Sequence, residues 1–247
     1  MSKLSVFVAL DRSGSMSGEP WTNAIESLNE YVKGLQKEKI EGEITVIAFD
    51  ATNTPQGEKV RLDAILENKS IAYFEPISPN ALTPSGMTPL FDAAANVMDR
   101  AMERNAERTV VVILTDGHEN ASKEYTQAKI KDKVKLLESK KWEVIFLGAN
   151  FDVSSYTAGS GLNSTKMRNF DLCNEAQRAA MYTDLAFSTA SYATTGAAMN
   201  LSTEGAKGSD AGITFGGAGA VGGFGGAGAI GGDSGAGLIH INPTMNK

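Results

Sequence analysis

The sequence has very little of the two residues that most often bind zinc. It contains one cysteine, Cys173, and two histidines among 247 residues. A disulfide within the chain is therefore excluded, and a structural zinc site of four Cys and His ligands is nearly excluded as well. We interpret Cys173 as a small buried apolar residue.

An excess of basic charge and a long apolar run are also missing. The formal net charge is −6 and the isoelectric point is near 5.1. A nucleic-acid-binding surface would need a basic face, so we expect no nucleic-acid partner. No stretch approaches the roughly 20 apolar residues of a membrane span, and the apolar run before Asp11 is too short for a signal peptide. We expect a chain made in the cytoplasm without a signal peptide or membrane span.

Motifs of common enzymes are missing too. The sequence has neither a Gly-x-Ser-x-Gly elbow nor a phosphate-binding Gly-x-x-x-x-Gly-Lys-Ser/Thr loop. His118 could be combined with Asp116 and Ser13 into a hydrolytic triad, but side chains so close in sequence diverge from a turn. A phosphatase that uses Asp11 as its nucleophile would have a second Asp where Ser13 stands. We therefore expect that the protein is not an enzyme.

Apolar strand patterns alternate with helical patterns along the first 200 residues. The run at 109–114 is the richest in β-branched residues and predicts a central strand, whereas the alternating segment 59–66 predicts an edge strand. Such alternation predicts an α/β fold, a doubly wound, Rossmann-like and mostly parallel six-stranded sheet with one antiparallel edge strand and helices on both faces. The predicted strands are 4–11, 43–49, 59–66, 109–114, 143–147 and 167–172. The predicted helices are 20–35, 89–101, 122–139, a short piece after 148, and 174 into the 190s.

Hard oxygen donors follow the strands of this sheet where the strand order reverses. Asp11 ends the first strand, Ser13 and Ser15 follow it, and Asp116 follows the fourth strand. Thr88, predicted as the N-cap of the helix that begins at Pro89, can reach the same crevice. Carboxylates and hydroxyls suit Mg²⁺ or Mn²⁺ better than zinc. Each residue alone is also typical of a turn or a helix cap. Together they predict a metal site, in which we expect the Asp11 carboxylate to face solvent.

These motifs resemble a known family. Asp11-x-Ser13-x-Ser15, Thr88 within Gly-Met-Thr-Pro-Leu-Phe-Asp-Ala and Asp116 within Leu-Thr-Asp-Gly match all five positions of the metal-ion-dependent adhesion site (MIDAS) of von Willebrand factor A domains. The segment 3–198 is similar to that family, especially to stand-alone bacterial and bacteriophage members.

The resemblance implies how a cation would be held. Hydroxyls of Ser13, Ser15 and Thr88 would contact one Mg²⁺ or Mn²⁺ per chain, directly or by exchange with water. Asp11 and Asp116 would act largely through bound water, and an acidic group of a protein partner would fill an open position. Four further residues would flank this site, either as a solvated rim or as residues that select the ligand: Arg12, Asp50, His118 and Asn120.

Three classes of function follow from the resemblance. The first is a cation-dependent adhesion or interaction module that binds an exposed Asp or Glu carboxylate of a protein partner. The second is a structural virion or scaffold protein, such as a phage tail or capsid component, that uses the domain for subunit contacts. The third is an accessory subunit of an ATPase machine. The expected location is cytoplasmic or virion-associated.

The composition changes sharply after residue 200, so we divide the chain into a domain at 1–200 and a Gly-rich appendage at 201–247. The appendage is close to half glycine over much of its length and contains a nine-residue repeat at 216–233. Such composition is typical of a flexible tether. However, the apolar residues of the repeat fall on every third position, a spacing that favours an ordered assembly with other copies and hence a homo-oligomer. The predicted role of the appendage is assembly or attachment.

Overall fold

The computed structural model describes residues 3–55, 57–150 and 166–201. Residues 202–247 of the predicted Gly-rich appendage, the predicted short helical piece after 148 and Gln56 lie outside the described residues. Within the described ranges, no helix has both the length and the hydropathy that crossing a membrane requires.

The described strands form one six-stranded sheet. They are β1 (Leu4–Asp11), β2 (Gly42–Thr54), β3 (Gly57–Ser70), β4 (Arg108–Thr115), β5 (Glu143–Ala149) and β6 (Met167–Phe170). Their order is β3-β2-β1-β4-β5-β6, and only β3 runs antiparallel to its neighbour. The predicted fold class is confirmed, including the antiparallel edge strand and the central position of β1 and β4.

Helices cover both faces of the sheet. They are α1 (Glu19–Lys37), α2 (Leu90–Arg104), α3 (Gln127–Ser139) and α4 (Glu175–Thr195). Side chains of β1 alternate between two cores, because successive residues of a strand point to opposite faces. Val6 and Val8 pack with α1 and α4, whereas Phe7 and Ala9 pack with α2 and α3. The predicted apolar face of α1 is buried throughout: Trp21, Ile25, Leu28, Val32 and Leu35.

The starts of α2 and α3 differ from the prediction in ways that have a structural cause. Pro89, not Thr88, occupies the N-cap position of α2, so Thr88 lies one residue outside the cap. The helix predicted from 122 begins only at Gln127. The backbone N–H groups of residues 123–125 donate to the carboxylate of Asp92, at 2.7, 3.1 and 2.9 Å. These contacts hold the segment as a loop against α2.

Strand ends also differ, among them those of β2 and β5. β2 continues beyond Asp50 to Thr54, because it pairs with β3 down to the Thr54–Gly57 register. β5 passes through Gly148, which pairs with Thr115 of β4. Cross-strand pairing therefore overrides the local break that the sequence predicted.

Cys173 is exposed, so the interpretation of this residue as a buried apolar side chain is wrong. It lies in the turn that joins β6 to α4, where its N–H donates to the Asp171 side chain at 2.8 Å. The neighbouring Leu172 is the residue that this turn buries.

Candidate metal centre

Asp11 lies at the carboxyl end of β1, and its side chain is fully buried. One carboxylate oxygen accepts the Ser13 N–H at 2.8 Å, and the other accepts the Thr115 hydroxyl at 2.6 Å. Burial raises the pKa of Asp11 to about 6, an effect that these two hydrogen bonds partly offset. The expectation that this carboxylate faces solvent is therefore wrong.

The segment after Asp11 turns sharply and presents two hydroxyls. Gly14–Met16 forms a single 3₁₀ turn, and the fully buried Met16 side chain fixes this turn to the core. The hydroxyl oxygens of Ser13 and Ser15 are 3.1 Å apart and share a hydrogen bond. Ser15 also donates to Asp116 at 2.7 Å, which joins this loop to the loop that follows β4.

Thr88 is positioned by an extended segment pinned between the β1 loop and β2. Met87 and Ala51 exchange two backbone hydrogen bonds, at 2.8 and 2.9 Å. Gly86 accepts the Gly14 N–H at 3.0 Å. It has a φ of +77°, and a Cβ there would lie 2.1 Å from the Ala51 carbonyl oxygen. Only glycine allows this close approach, which brings Thr88 to the crevice.

Asp116 and Gly117 complete the cluster after β4. Partial burial raises the pKa of Asp116, and the bond from Ser15 partly offsets this rise. A Cβ on Gly117 would lie 3.3 Å from the Thr88 hydroxyl oxygen and 3.8 Å from that of Ser15. Both hydroxyls therefore lie on the side of Gly117 where a side chain would project. The structure thus brings together all five residues of the predicted site.

The four predicted flanking residues are placed very differently. Arg12 and Asp50 are buried, 3% and 0% exposed, and form an ion pair with Arg12 Nε 3.1 Å from Asp50. Neither belongs to a solvated rim. His118 is exposed. Asn120 is also exposed and holds Thr88 at two points: its side chain accepts the Thr88 N–H at 2.8 Å, and its own N–H donates to the Thr88 carbonyl at 3.1 Å.

The loop after Asp116 is organised by a further carboxylate. Glu119 accepts the N–H groups of Ala121 and Ser122 at 2.8 and 2.7 Å, and also that of Phe91, in the first turn of α2, at 2.9 Å. This loop is therefore bonded to the same helix start that Thr88 precedes. The contacts fix the loop after Asp116 against the segment that leads through Thr88 into α2.

Sequence reasoning missed three residues on which this arrangement depends: Gly86, Thr115 and Gly117. Thr115 ends β4 on the side of Asp11, and its oxygen also accepts the Gly117 N–H at 3.1 Å. Thr115 and Gly117 flank Asp116 in the Leu-Thr-Asp-Gly motif, so the sequence already showed that they lie next to a predicted site residue. No local pattern indicated the close approach of Gly86 to β2.

The donor set is oxygen only. Within residues 3–55, 57–150 and 166–201, no group of three or more His, Cys, Asp or Glu side chains could hold a metal. The cluster instead combines two carboxylates with three hydroxyls. These are hard donors, which suit Mg²⁺ or Mn²⁺ and not a soft transition metal.

Fold and cluster define a doubly wound α/β domain with an oxygen-rich crevice at the point where the strand order reverses. The family model for the von Willebrand factor type A domain matches residues 5–194. The chain therefore belongs to the von Willebrand factor type A domain family. No curated protein matches the chain in sequence.

Solved structures share this fold at low sequence identity. Proximal thread matrix protein 1 from the mussel byssus matches with a TM-score of 0.56 and 14% identity, over 76% of this chain and 46% of that one. This chain thus spans about half the length of the byssus protein. The von Willebrand factor domain of the type V pili tip protein Mfa5 from Porphyromonas gingivalis matches with a TM-score of 0.55 and 11% identity, over 75% and 94% of the two chains. The pilus adhesin SpaC from Lactobacillus rhamnosus GG matches with a TM-score of 0.54 and 11% identity, over 77% of this chain and 30% of that one.

Proposed function

We propose that this chain binds one Mg²⁺ or Mn²⁺ in the crevice and, through that cation, an acidic group of a protein partner. One observation carries the proposal: separate loops bring Asp11, Ser13, Ser15 and Asp116 into one hydrogen-bonded cluster, and the Thr88 hydroxyl lies beside it, next to Gly117. The three hydroxyls would hold the cation, and the two carboxylates would balance its charge, largely through water.

The local electrostatics fit a cation. Burial raises the pKa values of both Asp11 and Asp116, which means that their charged forms are disfavoured in the protein alone. A nearby positive charge favours the charged form of a carboxyl group, so a cation would reverse these shifts. Gly117 lacks the side chain that would otherwise fill the space beside Ser15 and Thr88.

The charge of the chain explains why the cation would select an acidic partner. At a net charge of −6, the protein as a whole repels anions. A cation held mainly by neutral hydroxyls keeps much of its attraction for an outside carboxylate. The pilus-tip and adhesin structures that share the fold support a binding role over catalysis. We also propose that the Gly-rich segment 201–247 serves assembly or attachment.

Partner binding should depend on the cation. We expect a pull-down with the full chain to retain its specific partner in Mg²⁺, to lose it in EDTA, and to regain it when excess Mg²⁺ is restored. Acetate should compete, because it offers the same carboxylate to the cation. A partner retained equally well in EDTA would contradict the proposal and favour the structural scaffold role, and an ATPase among such partners would favour the accessory-subunit role.

The Gly117→Ala variant should weaken cation binding by about tenfold, the size of effect seen when the surroundings of a metal site are disturbed. The new methyl group would lie 3.3 Å from the Thr88 hydroxyl oxygen and would crowd it. Titration calorimetry with Mn²⁺ measures the effect, and thermal unfolding in EDTA checks that the fold is kept. Unchanged Mn²⁺ affinity would show that the cation does not lie beside Gly117.

A further inference from the structure

A buried ion network begins beside the proposed cation site. Arg12, between Asp11 and Ser13 in sequence, is only 3% exposed, and its side chain pairs with residues of β2 and β3. Its Nε donates to Asp50 at 3.1 Å, and a terminal nitrogen donates to Asp63 at 2.7 Å. The network therefore begins between two residues of the site.

A second arginine reaches the same buried carboxylate. Arg61 of β3 is about one-third exposed, and its Nε donates to Asp50 at 2.6 Å. A terminal nitrogen of Arg61 also contacts Asp50 and donates to the Ser85 hydroxyl at 2.8 Å. Arg61 thus links β2 to the segment that leads into Thr88.

The backbone bonds around this network join the two loops that carry the hydroxyls. The Arg12 N–H donates to Phe49 of β2 at 2.8 Å, and the Arg12 carbonyl accepts the Ser85 N–H at 2.9 Å. Ala51, next to Asp50, exchanges two backbone bonds with Met87. The part of β2 from Phe49 to Ala51 therefore anchors both the Asp11–Ser15 loop and the Thr88 segment.

From these contacts we infer that Arg61, Asp50, Arg12 and Ser85 are positioning residues, which set the separation between the Ser13 and Ser15 hydroxyls and the Thr88 hydroxyl. This inference rests on the proposed cation binding. Buried ion pairs are weak sources of net stability, and their better-attested use is to specify one arrangement. Mg²⁺ needs near-ideal octahedral geometry at short distances, whereas Ca²⁺ tolerates longer and irregular ones. A network that fixes this separation would therefore matter more for Mg²⁺.

The test is the Arg61→Ala variant of the full chain, titrated with Mg²⁺ and with Ca²⁺. Removing a positive charge should by itself strengthen cation binding, so a loss of affinity can come only from lost positioning. We expect about a tenfold loss for Mg²⁺ and little change for Ca²⁺. Arg100→Ala is the matched control, because Arg100 is 33% exposed against 35% for Arg61 and is paired with Glu67. It should not lower the affinity for either cation.

A second variant keeps the test decisive if Arg61→Ala does not fold. Ser85→Ala removes the contact from Arg61 to the Thr88 segment without changing any charge, and it should lower Mg²⁺ affinity more than Ca²⁺ affinity. Unchanged or tighter Mg²⁺ binding, or an equal loss for both cations, would overturn the inference while leaving the proposed function intact. A wild-type chain that binds neither Mg²⁺ nor Mn²⁺ would overturn both.

Discussion

We expect the Asp116→Ala variant to lose at least about a hundredfold in affinity for Mn²⁺ while remaining folded. A carboxylate a few ångströms from a divalent cation contributes several kcal/mol to cation binding at the dielectric of a protein surface. Water that takes the place of the carboxylate recovers only a part of this energy. Asp116 is only partly buried, and Ser15 is the side chain that donates to it. Its removal should therefore change the free energy of unfolding by about 1 kcal/mol or less. Titration calorimetry and urea unfolding in EDTA measure the two quantities.

Asp116 is a better choice than Asp11 for this experiment. Asp11 is fully buried and accepts bonds from Ser13 and Thr115, so Asp11→Ala would leave two donors without their partner and should cost about 2 kcal/mol of stability. Glu30→Gln is the control for charge, because Glu30 is 68% exposed on α1. It should leave Mn²⁺ affinity unchanged. If Asp116→Ala binds Mn²⁺ with wild-type affinity, Asp116 does not belong to the cation site.

The Asp50→Ala variant should lower the free energy of unfolding by about 3–5 kcal/mol. Asp50 is fully buried and pairs with both Arg12 and Arg61. Without it, the buried guanidinium of Arg12 keeps only its bond to Asp63. A buried charge that loses its buried partner is among the costliest defects that one substitution can create. Equilibrium unfolding in urea, measured in EDTA, gives the value without any contribution from bound cations.

Asp63→Ala is the matched control for this prediction. It removes a carboxylate of the same network, but one that is half exposed, and it leaves the Arg12–Asp50 pair in place. We expect a loss of about 1 kcal/mol. If the two variants lose equal stability, burial of Asp50 is not the cause of its effect.

The fold was predictable because its signal is local and strong. The β-branched run of β4, the apolar stripe of α1 and the alternation in β3 each predict one element by periodicity. The central place of β4 and the edge place of β3 followed from composition and alternation, and both were confirmed. Boundaries were less accurate. The end of β2 is set by its pairing with β3, and the start of α3 is set by the Asp92 carboxylate.

The five residues of the candidate site were predictable from spacing and topology, but their burial was not. Whether Asp11 and Arg12 face water depends on partners more than 30 residues away in sequence: Thr115 for Asp11, and Asp50 and Asp63 for Arg12. The same is true of Gly86, whose role depends on the carbonyl of Ala51. Such long-range contacts leave no periodic trace in the sequence.

The most direct test of the proposed cation site is an anomalous difference map from a crystal of the full chain soaked in Mn²⁺. We expect one strong peak within bonding distance of the hydroxyls of Ser13, Ser15 and Thr88, and we expect this peak to be lost in Asp116→Ala. A map that shows these residues well ordered at saturating Mn²⁺, with no peak between them, would contradict the proposed site.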